Sequence, residues 1–335
     1  MSEWREEAGF VLRKLGKGAG AAVRIVKSAF DDEPHEVVCY RGYANSARAW
    51  VHGRVIEQRD LGASTEGDST LQNLIRTYRR TDSDPVSFAT LKVTYGTRSA
   101  EMAADDEGFF GGWVDGSNSD ADKEWLEYGV EVVNPRFSET AAVTGTGEIL
   151  RLHGEARFGV ISDIDDTVIQ SRVSNFIQAA RTVMLGNART RLPFPGVAAF
   201  YRALRDGATG SEKNPIFYVS SSPWNIFDVI SEFMELQNVP KGPLLLRDWD
   251  LKLNVLSSSR HLQHKGSIIS EIIGTYPNLP FILIGDSGQH DPEIYRQMVT
   301  TFPGRILAIY IRDVTGSRER SESVAKLARE VIADK

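Results

Sequence analysis

Three carboxylates stand within four residues of the chain, at Asp163, Asp165 and Asp166. The string 162–167 that contains them directly follows the apolar run 158–161, which is typical of a buried strand. Two unit charges about 4 Å apart repel by roughly 4 kcal/mol at an effective dielectric of about 20, so this cluster needs compensation. A divalent cation with oxygen ligands, such as magnesium, would supply it. A solvated acidic turn is the alternative.

A second acidic segment follows the apolar run 281–284 and reads Gly-Asp-Ser-Gly-Gln-His-Asp over residues 285–291. Asp286 and Asp291 could complete a magnesium site with Asp163 at neighbouring parallel strand ends. Gly-Asp-Ser-Gly also surrounds the serine of trypsin-like proteases. Those enzymes are antiparallel β-barrels, and this chain has no Gly-x-Ser-x-Gly elbow, so we reject a serine hydrolase.

Two further polar positions could bind a phosphoryl group. Residues 220–223 read Ser-Ser-Ser-Pro after the apolar run 216–219. Hydroxyl and N–H groups at a strand end can hold a phosphoryl oxygen, although the same string is an ordinary helix start. Lys265 is predicted just ahead of a helix, where it would neutralise phosphate charge or lie on the surface.

The elements that must position these residues alternate between short apolar runs and helical patterns. Apolar residues at helical spacing over 226–234 and 268–273 predict two of the intervening helices. This alternation predicts βαβ units and a parallel sheet, whose carboxyl ends carry the ligand site. The predicted strands are 158–161, 216–219, 244–246, 281–284 and 306–311.

The first half of the chain has a different pattern. Residues 35–152 favour a β-sandwich-like domain, interrupted by one helix at 71–80. The acids at 105–107 lack the spacing of a calcium loop, which favours a solvated turn. Residues 1–34 predict an amphipathic helical segment with basic residues opposite an apolar face. Binding to a membrane surface and packing on its own domain both remain open for it.

Composition limits the classes of function. A length of 335 residues suggests two domains, and a net charge of -6 argues against a general nucleic-acid binder. The single cysteine, Cys39, cannot form an internal disulfide and is interpreted as a buried apolar residue. No apolar run approaches the roughly 18 residues that span a bilayer, and the first residues do not resemble a secretory signal. We therefore expect a cytoplasmic protein, with peripheral membrane attachment left open.

Together the motifs resemble the haloacid dehalogenase (HAD) superfamily, over about residues 155–313. The strings at 162–167, 222–224 and 285–293 are similar to one branch, the actin-patch type of phosphatidate phosphatase and its bacterial relatives. The second motif could also fall on Ser221 or Ser222. The four motifs match, in chain order, Asp163 with Asp165 and Thr167, then Ser220, then Lys265, then Asp286 with Asp291.

The resemblance implies a HAD-like Rossmannoid parallel sheet in a phosphatase domain at 153–335, with a small cap inserted at about 168–215. It implies Asp163 as the nucleophile that forms an aspartyl-phosphate, and Asp165 as the general acid and base. Magnesium would be held by Asp163, the Asp165 carbonyl and Asp286.

The remaining site residues follow from the same resemblance. Asp291 would complete the metal set by orienting Lys265 or a metal-bound water. Thr167, Ser220, Ser221 and Lys265 would bind the phosphate.

The substrate implied by the branch is phosphatidate, hydrolysed to diacylglycerol at an anionic membrane surface. Arg189 and Arg191, which lie among apolar residues of the cap segment, are candidates for binding the lipid, or the cap is an ordinary helical cover. Two alternatives are a phosphatase for a soluble phosphomonoester and a membrane-associated scaffold with a vestigial site. Intact acids at Asp163, Asp165, Asp286 and Asp291 argue against the scaffold.

Overall fold

The computed structural model describes residues 35–57, 84–116, 123–135, 137, 142–169, 196–224, 227–247 and 258–333. The chain divides into two compact units, one of residues 1–66 and 79–151 and the other of residues 67–78 and 152–335. The predicted segment 1–34 and helix 71–80 lie outside the described residues, as do Arg189, Arg191 and most of the predicted cap. Among the helices of the described ranges, none is long and apolar enough to cross a membrane.

The described part of the first unit is a β-sheet. Its strands are β1 (His35–Cys39), β2 (Gly42–Ala44), β3 (Arg48–Glu57), β4 (Thr90–Tyr95), β5 (Arg98–Ala103), β6 (Phe109–Asp115), β7 (Trp125–Asn134) and β8 (Thr144–Arg151). The order is β1-β3-β2-β8-β7-β4-β5, with β6 also paired to β3. The eight strands are linked by hydrogen bonds into one sheet, in which the long strand β3 pairs with β1, β2 and β6. The β-strands of this unit agree with the predicted all-β pattern, and their sandwich-like packing stays a prediction.

Alternation along the strands builds the core of this unit. In β4, Leu91, Val93 and Tyr95 are buried, whereas Lys92 and Thr94 between them are exposed. This period of two is the one that a strand with a single buried face requires. The inward residues of most strands form one apolar cluster, so the sheet encloses a common core.

The described part of the second unit has a parallel sheet with helices between the strands. The strands are β9 (Gly159–Ser162), β10 (Ile216–Pro223), β11 (Leu244–Arg247), β12 (Phe281–Asp286) and β13 (Ile306–Arg312). The helices are α1 (Val197–Asp206), α2 (Phe227–Leu236), α3 (Ser258–Thr275), α4 (Asp291–Thr301) and α5 (Arg318–Ala333). All neighbouring strands are parallel, so the predicted strands and the parallel sheet are confirmed.

The order of the strands shows where a ligand site is expected in this sheet. The order is β11-β10-β9-β12-β13, so the chain starts in the middle, builds outward on one side and then on the other. The topological switch point therefore lies between β9 and β12, and ligands of such sheets bind there, outside the carboxyl ends of the strands. Every residue of β9 and β12 is buried, as expected for central parallel strands covered on both faces.

Candidate active site

Three carboxylates meet at the switch point. Asp163 follows β9 directly, Asp286 ends β12, and Asp291 is the first residue of α4. All three residues are fully buried, and carboxylate oxygens from each lie within 4.8 Å of one another. The Asp163 amide donates to the carbonyl of Ile284 at 2.8 Å, which fixes the end of β9 against β12. Asp163 and Asp286 are 123 positions apart in the chain, and the pairing of β9 with β12 brings them together.

Lys265 is the cation of the cluster. Its Nζ donates to Asp163 Oδ1 at 2.7 Å and to Asp291 Oδ1, and its side chain is buried. The prediction that Lys265 precedes a helix is wrong, because α3 already begins at Ser258. The first turns of α3 are polar and carry no apolar period, so the sequence pattern indicates the helix only from Ile268 onward.

Two carboxylate oxygens of the cluster are buried and accept no hydrogen bond from any described residue, namely Asp163 Oδ2 and Asp286 Oδ2. The other oxygen of Asp286 accepts the amides of Gly288 at 2.6 Å and Gln289 at 3.0 Å. Buried polar atoms in folded proteins are normally hydrogen-bonded, so such oxygens indicate a missing partner.

The electrostatics of the cluster indicate what that partner is. Burial raises the pKa of Asp163 well above its usual value; Lys265 opposes this shift and Asp291 adds to it. Burial, with Asp291, also raises the pKa of Asp286 to about 6. Burial alone would lower the pKa of Lys265, but Asp163 and Asp291 outweigh it and the net shift is upward. Three carboxylates against one ammonium leave negative charge in excess, so the donor set fits a divalent cation with oxygen ligands.

Asp165 faces the end of β10 instead of joining the cluster with its side chain. Its Oδ2 accepts the hydroxyls of Ser220 at 2.6 Å and Ser222 at 3.0 Å. The Ser222 amide donates to Ser220 Oγ at 2.9 Å, which ties the two serines together. Ser221 lies between them in β10, and successive strand residues point to opposite faces. Ser220 and Ser222, and not Ser221, therefore hold Asp165.

A tight turn over residues 164–169 follows Asp163 and contains Asp165. The Ile164 carbonyl accepts the amides of Val168 and Ile169 at 2.9 and 3.0 Å. Asp166 adopts a left-handed conformation with φ 56, which aspartate tolerates better than most residues, so the turn gives Asp166 a structural role. Thr167 is buried within the same turn, and its Oγ1 has no hydrogen-bond partner among the described residues.

Glycine at position 285 is required by the packing of Asp291. A Cβ atom on Gly285 would lie 2.3 Å from Asp291 Oδ2, closer than any real contact. The same oxygen accepts the Asp286 amide at 3.1 Å. The Gly-Asp pair therefore lets the carboxylate at the start of α4 lie against the end of β12.

Sequence reasoning missed two buried tyrosines behind the site. Ser162 Oγ donates to the Asp163 carbonyl at 2.7 Å, so its own contact with Tyr201 Oη must be donated by the tyrosine. Tyr295 Oη donates to the Ile284 carbonyl at 2.8 Å. Both tyrosines stand on helix faces where the pattern indicates only a core residue, so the sequence carries no signal for these contacts.

Comparison with known proteins identifies one related sequence family. Residues 158–313 match the family described as "Phosphatidate phosphatase APP1, catalytic domain". The matched range contains every residue of the cluster and of the Asp165 contacts.

Two curated proteins of yeasts are similar to the same half of the chain. Phosphatidate phosphatase APP1 of Saccharomyces cerevisiae is 34% identical over 160 residues, which are 48% of this chain and 26% of that protein. An uncharacterized protein of Schizosaccharomyces pombe is 32% identical over 158 residues, which are 46% of this chain and 25% of that protein. The chain thus matches about a quarter of the length of these relatives.

Among solved structures, a carbohydrate acetylesterase from Xanthomonas citri overlaps 88% of this chain and 73% of its own, at 11% identity and a TM-score of 0.27. A likeness at that level carries no argument about fold or activity.

Proposed function

We propose that the chain is a magnesium-dependent phosphatidate phosphatase, and that residues 153–335 form a HAD-like phosphatase domain. The buried oxygens of Asp163 and Asp286 that accept no hydrogen bond from the described residues carry this proposal, because beside Lys265 they would offer a preorganised site to a cation and a phosphoryl group. The similarity of residues 158–313 to a phosphatidate phosphatase catalytic domain supports the phosphatase activity and the substrate class.

The proposed reaction has two steps at phosphorus. The Asp163 carboxylate attacks the phosphate monoester, the bond from phosphorus to the glycerol oxygen breaks, and Asp165 gives that oxygen a proton. Water then attacks the aspartyl-phosphate and loses a proton to Asp165, which releases phosphate and restores Asp163. Ser220 and Ser222 hold the Asp165 carboxyl in place for both proton transfers.

Charge on the transferring group is stabilised by the surroundings. Among the described residues, Lys265 donates to Asp163 and would neutralise phosphoryl oxygens, and the Thr167 hydroxyl would donate a hydrogen bond to them. The Ser220 hydroxyl would bind the phosphate only in exchange for its hydrogen bond to Asp165. Asp163, Asp286 and the Asp165 carbonyl would hold the magnesium ion, and Asp291 would orient Lys265 or a water bound to the ion. When bound, the ion would screen the negative nucleophile from the phosphate dianion.

The lipid part of the proposal rests on the family similarity and on the sequence. An anionic lipid substrate would require the enzyme to act at a membrane surface, which a cytoplasmic protein that attaches peripherally would do. Arg189 and Arg191 are proposed to bind the lipid. Replacing both with glutamine should lower activity on vesicles more than on a soluble phosphate ester, and equal loss on both would count against lipid binding there.

The direct test is phosphate release from phosphatidate vesicles beside a panel of sugar and nucleotide phosphates, with magnesium or with a chelator. We expect release from the vesicles that requires magnesium and is lost by at least about 10³-fold in Asp163→Asn. Undiminished turnover of D163N would reject the nucleophile. Faster hydrolysis of a soluble ester would indicate a phosphomonoester phosphatase with the same mechanism.

A further inference from the structure

Arg320 joins the C-terminal helix to the loop of the acidic cluster. It lies in α5, beyond the range 158–313 that matches the known catalytic domain. Its Nε donates to the Ser287 carbonyl at 2.7 Å, and its Nη2 donates to the Gln289 carbonyl, also at 2.7 Å. The same guanidinium binds both carboxylate oxygens of Glu293, in the first turn of α4, with Nη2 to Oε2 at 3.0 Å.

The loop held by Arg320 connects two members of the acidic cluster. Residues 287–290 run from Asp286 at the end of β12 to Asp291 at the start of α4. A guanidinium offers five N–H donors in one rigid plane, so it can bind two carbonyls and a carboxylate at once, whereas an ammonium is a point charge. Arg320 therefore fixes both the loop and the helix that follows it.

One peptide unit links Arg320 to the Asp286 carboxylate. The Ser287 carbonyl and the Gly288 amide belong to the same planar peptide. Arg320 donates to the Ser287 carbonyl oxygen of this peptide at 2.7 Å, and the Gly288 N–H of the same peptide donates to Asp286 Oδ1 at 2.6 Å. Hydrogen bonds in such a chain polarise one another, and the rigid peptide transmits the position of one end to the other. Arg320 thus helps to set the direction in which the free Asp286 Oδ2 points.

The residue next to Arg320 anchors the same segment independently. Ser321 Oγ donates to Asp313 Oδ2 at 2.6 Å, and Ser287 Oγ donates to Asp313 Oδ1 at 2.9 Å. The Val314 amide in turn donates to Ser287 Oγ at 3.0 Å. The start of α5 is therefore connected to Ser287 twice, through the Ser287 carbonyl by Arg320 and through the Ser287 hydroxyl by way of Asp313 and Ser321.

We propose that Arg320 is a positioning residue of the active site, which fixes the loop 287–290 so that Asp286 presents its free oxygen to the cation. The consequence for magnesium rests on the proposed function, whereas the fixing of the loop does not. Outer residues that orient metal ligands typically change metal affinity by about 10- to 100-fold when they are replaced.

The first test measures the loop itself, in metal-free protein. Amide hydrogen exchange of a peptide covering 284–293 is compared among wild type, Arg320→Gln, Arg320→Lys and Arg318→Gln. Arg318 is the matched control, since it lies in the same helix, 94% exposed, in a surface ion pair with Glu322. We expect exchange about tenfold faster in R320Q, an intermediate rate in R320K and no change in R318Q.

The second test measures the consequence, by calorimetric titration of each protein with magnesium chloride and by steady-state kinetics on phosphatidate vesicles. We expect R320Q to bind magnesium about tenfold more weakly and to lose kcat with little change in KM, with R320K between R320Q and wild type. Circular dichroism melting checks that the variants are folded; if R320Q is not, R320K carries the comparison.

Exchange and magnesium affinity in R320Q that equal those of R318Q would overturn the inference. A wild type that neither binds magnesium nor releases phosphate would overturn the proposed function and the consequence for the metal. In that case faster loop exchange in R320Q would still support the fixing of the loop, so the two failures are distinguishable.

Discussion

Two groups of three acidic residues, one in the described part of each unit, differ in every structural respect that matters for chemistry. Asp105, Asp106 and Glu107 are consecutive and form a surface turn before β6. One oxygen of Asp105 accepts the amides of Glu107 and Phe109, both at 2.9 Å. The other cluster is assembled from distant positions, is fully buried and leaves two oxygens without a hydrogen bond from the described residues.

The difference shows that the number of acids is a poor guide to a site. Side-chain bonds to nearby amides are what aspartate commonly provides in turns, and they use up its acceptor capacity. Burial without such partners costs free energy, which a protein tolerates where a ligand supplies the missing interaction. The first cluster is therefore expected to affect stability alone, and the second to affect catalysis.

The largest expected effect is on stability, from Lys265→Met. Lys265 is the one ammonium bound to the buried cluster in the described structure, and its loss leaves Asp163 and Asp291 uncompensated. Breaking a buried ion pair in this way costs about 3–5 kcal/mol. Urea denaturation of metal-free protein measures the loss. Lys92→Met, at an exposed position of β4, is the matched control and is expected to change stability by less than about 0.5 kcal/mol.

Adding magnesium should restore part of the stability of the K265M variant, because the ion neutralises the same carboxylates. If K265M and K92M unfold at the same urea concentration, the cluster is not held together by charge, and its contrast with the surface turn disappears.

The next largest effect is on catalysis, from Asp286→Asn compared with Asp105→Asn. Asparagine keeps the oxygen that accepts the Gly288 and Gln289 amides but removes a negative charge from the proposed cation site. We expect D286N to release phosphate at least about 100-fold more slowly than wild type, and D105N to match wild type.

The melting temperature of metal-free D286N provides the control for folding. It should not fall below that of wild type, since the substitution removes one charge from a cluster in which burial already raises the pKa of Asp286. A D286N enzyme with wild-type activity and wild-type magnesium dependence would show that this carboxylate is not a ligand.

The sequence predicts a feature of the fold or of the site when that feature depends on residues close together in the chain or on a general rule of sheet topology. Buried parallel strands read as apolar runs, so the sequence predicts all five, including β9 and β12. The rule that ligands lie at the carboxyl ends of such strands then suffices to propose that Asp163 and Asp286 meet. Local turn chemistry likewise predicts the surface turn at 105–107.

Other features depend on contacts that no local pattern encodes. The polar start of α3 hides the helix that carries Lys265, and the single sheet of the first unit depends on how the long strand β3 pairs. Arg320 reads as one more exposed charge of an amphipathic helix, and its bonds to the Ser287 and Gln289 carbonyls follow only from the docking of α5.

A smaller effect is expected at the surface turn, from Asp105→Ala. Alanine removes the acceptor of the Glu107 and Phe109 amides, and losing such a cap costs about 1 kcal/mol. Asparagine at the same position keeps the acceptor and should cost less than about 0.5 kcal/mol. Urea denaturation separates the two variants, and phosphate release should be unchanged in both. Activity lost in D105A without loss of stability would mean that this turn takes part in function.

The smallest effect is expected at Cys39 of the first unit, whose thiol we expect not to react with an alkylating reagent in the folded protein. The first unit also buries polar groups, but Tyr128 Oη lies 2.7 and 2.8 Å from the carbonyls of Tyr40 and His52, so these groups serve the fold. Burial raises the pKa of the Cys39 thiol to about 12, although its hydrogen bond with Tyr128 opposes this shift. At pH 8 the thiol is therefore protonated, and only the thiolate is a nucleophile.

Mass spectrometry after treatment with iodoacetamide at pH 8 checks this prediction. The native protein should remain unmodified over the time in which protein unfolded in urea is fully alkylated, and Cys39→Ser should remain unmodified in both conditions. Equal labelling of native and unfolded protein would mean that the thiol is ionised in the folded state. The first unit would then hold a reactive group of its own, and the contrast between a structural unit and a chemical one would not hold.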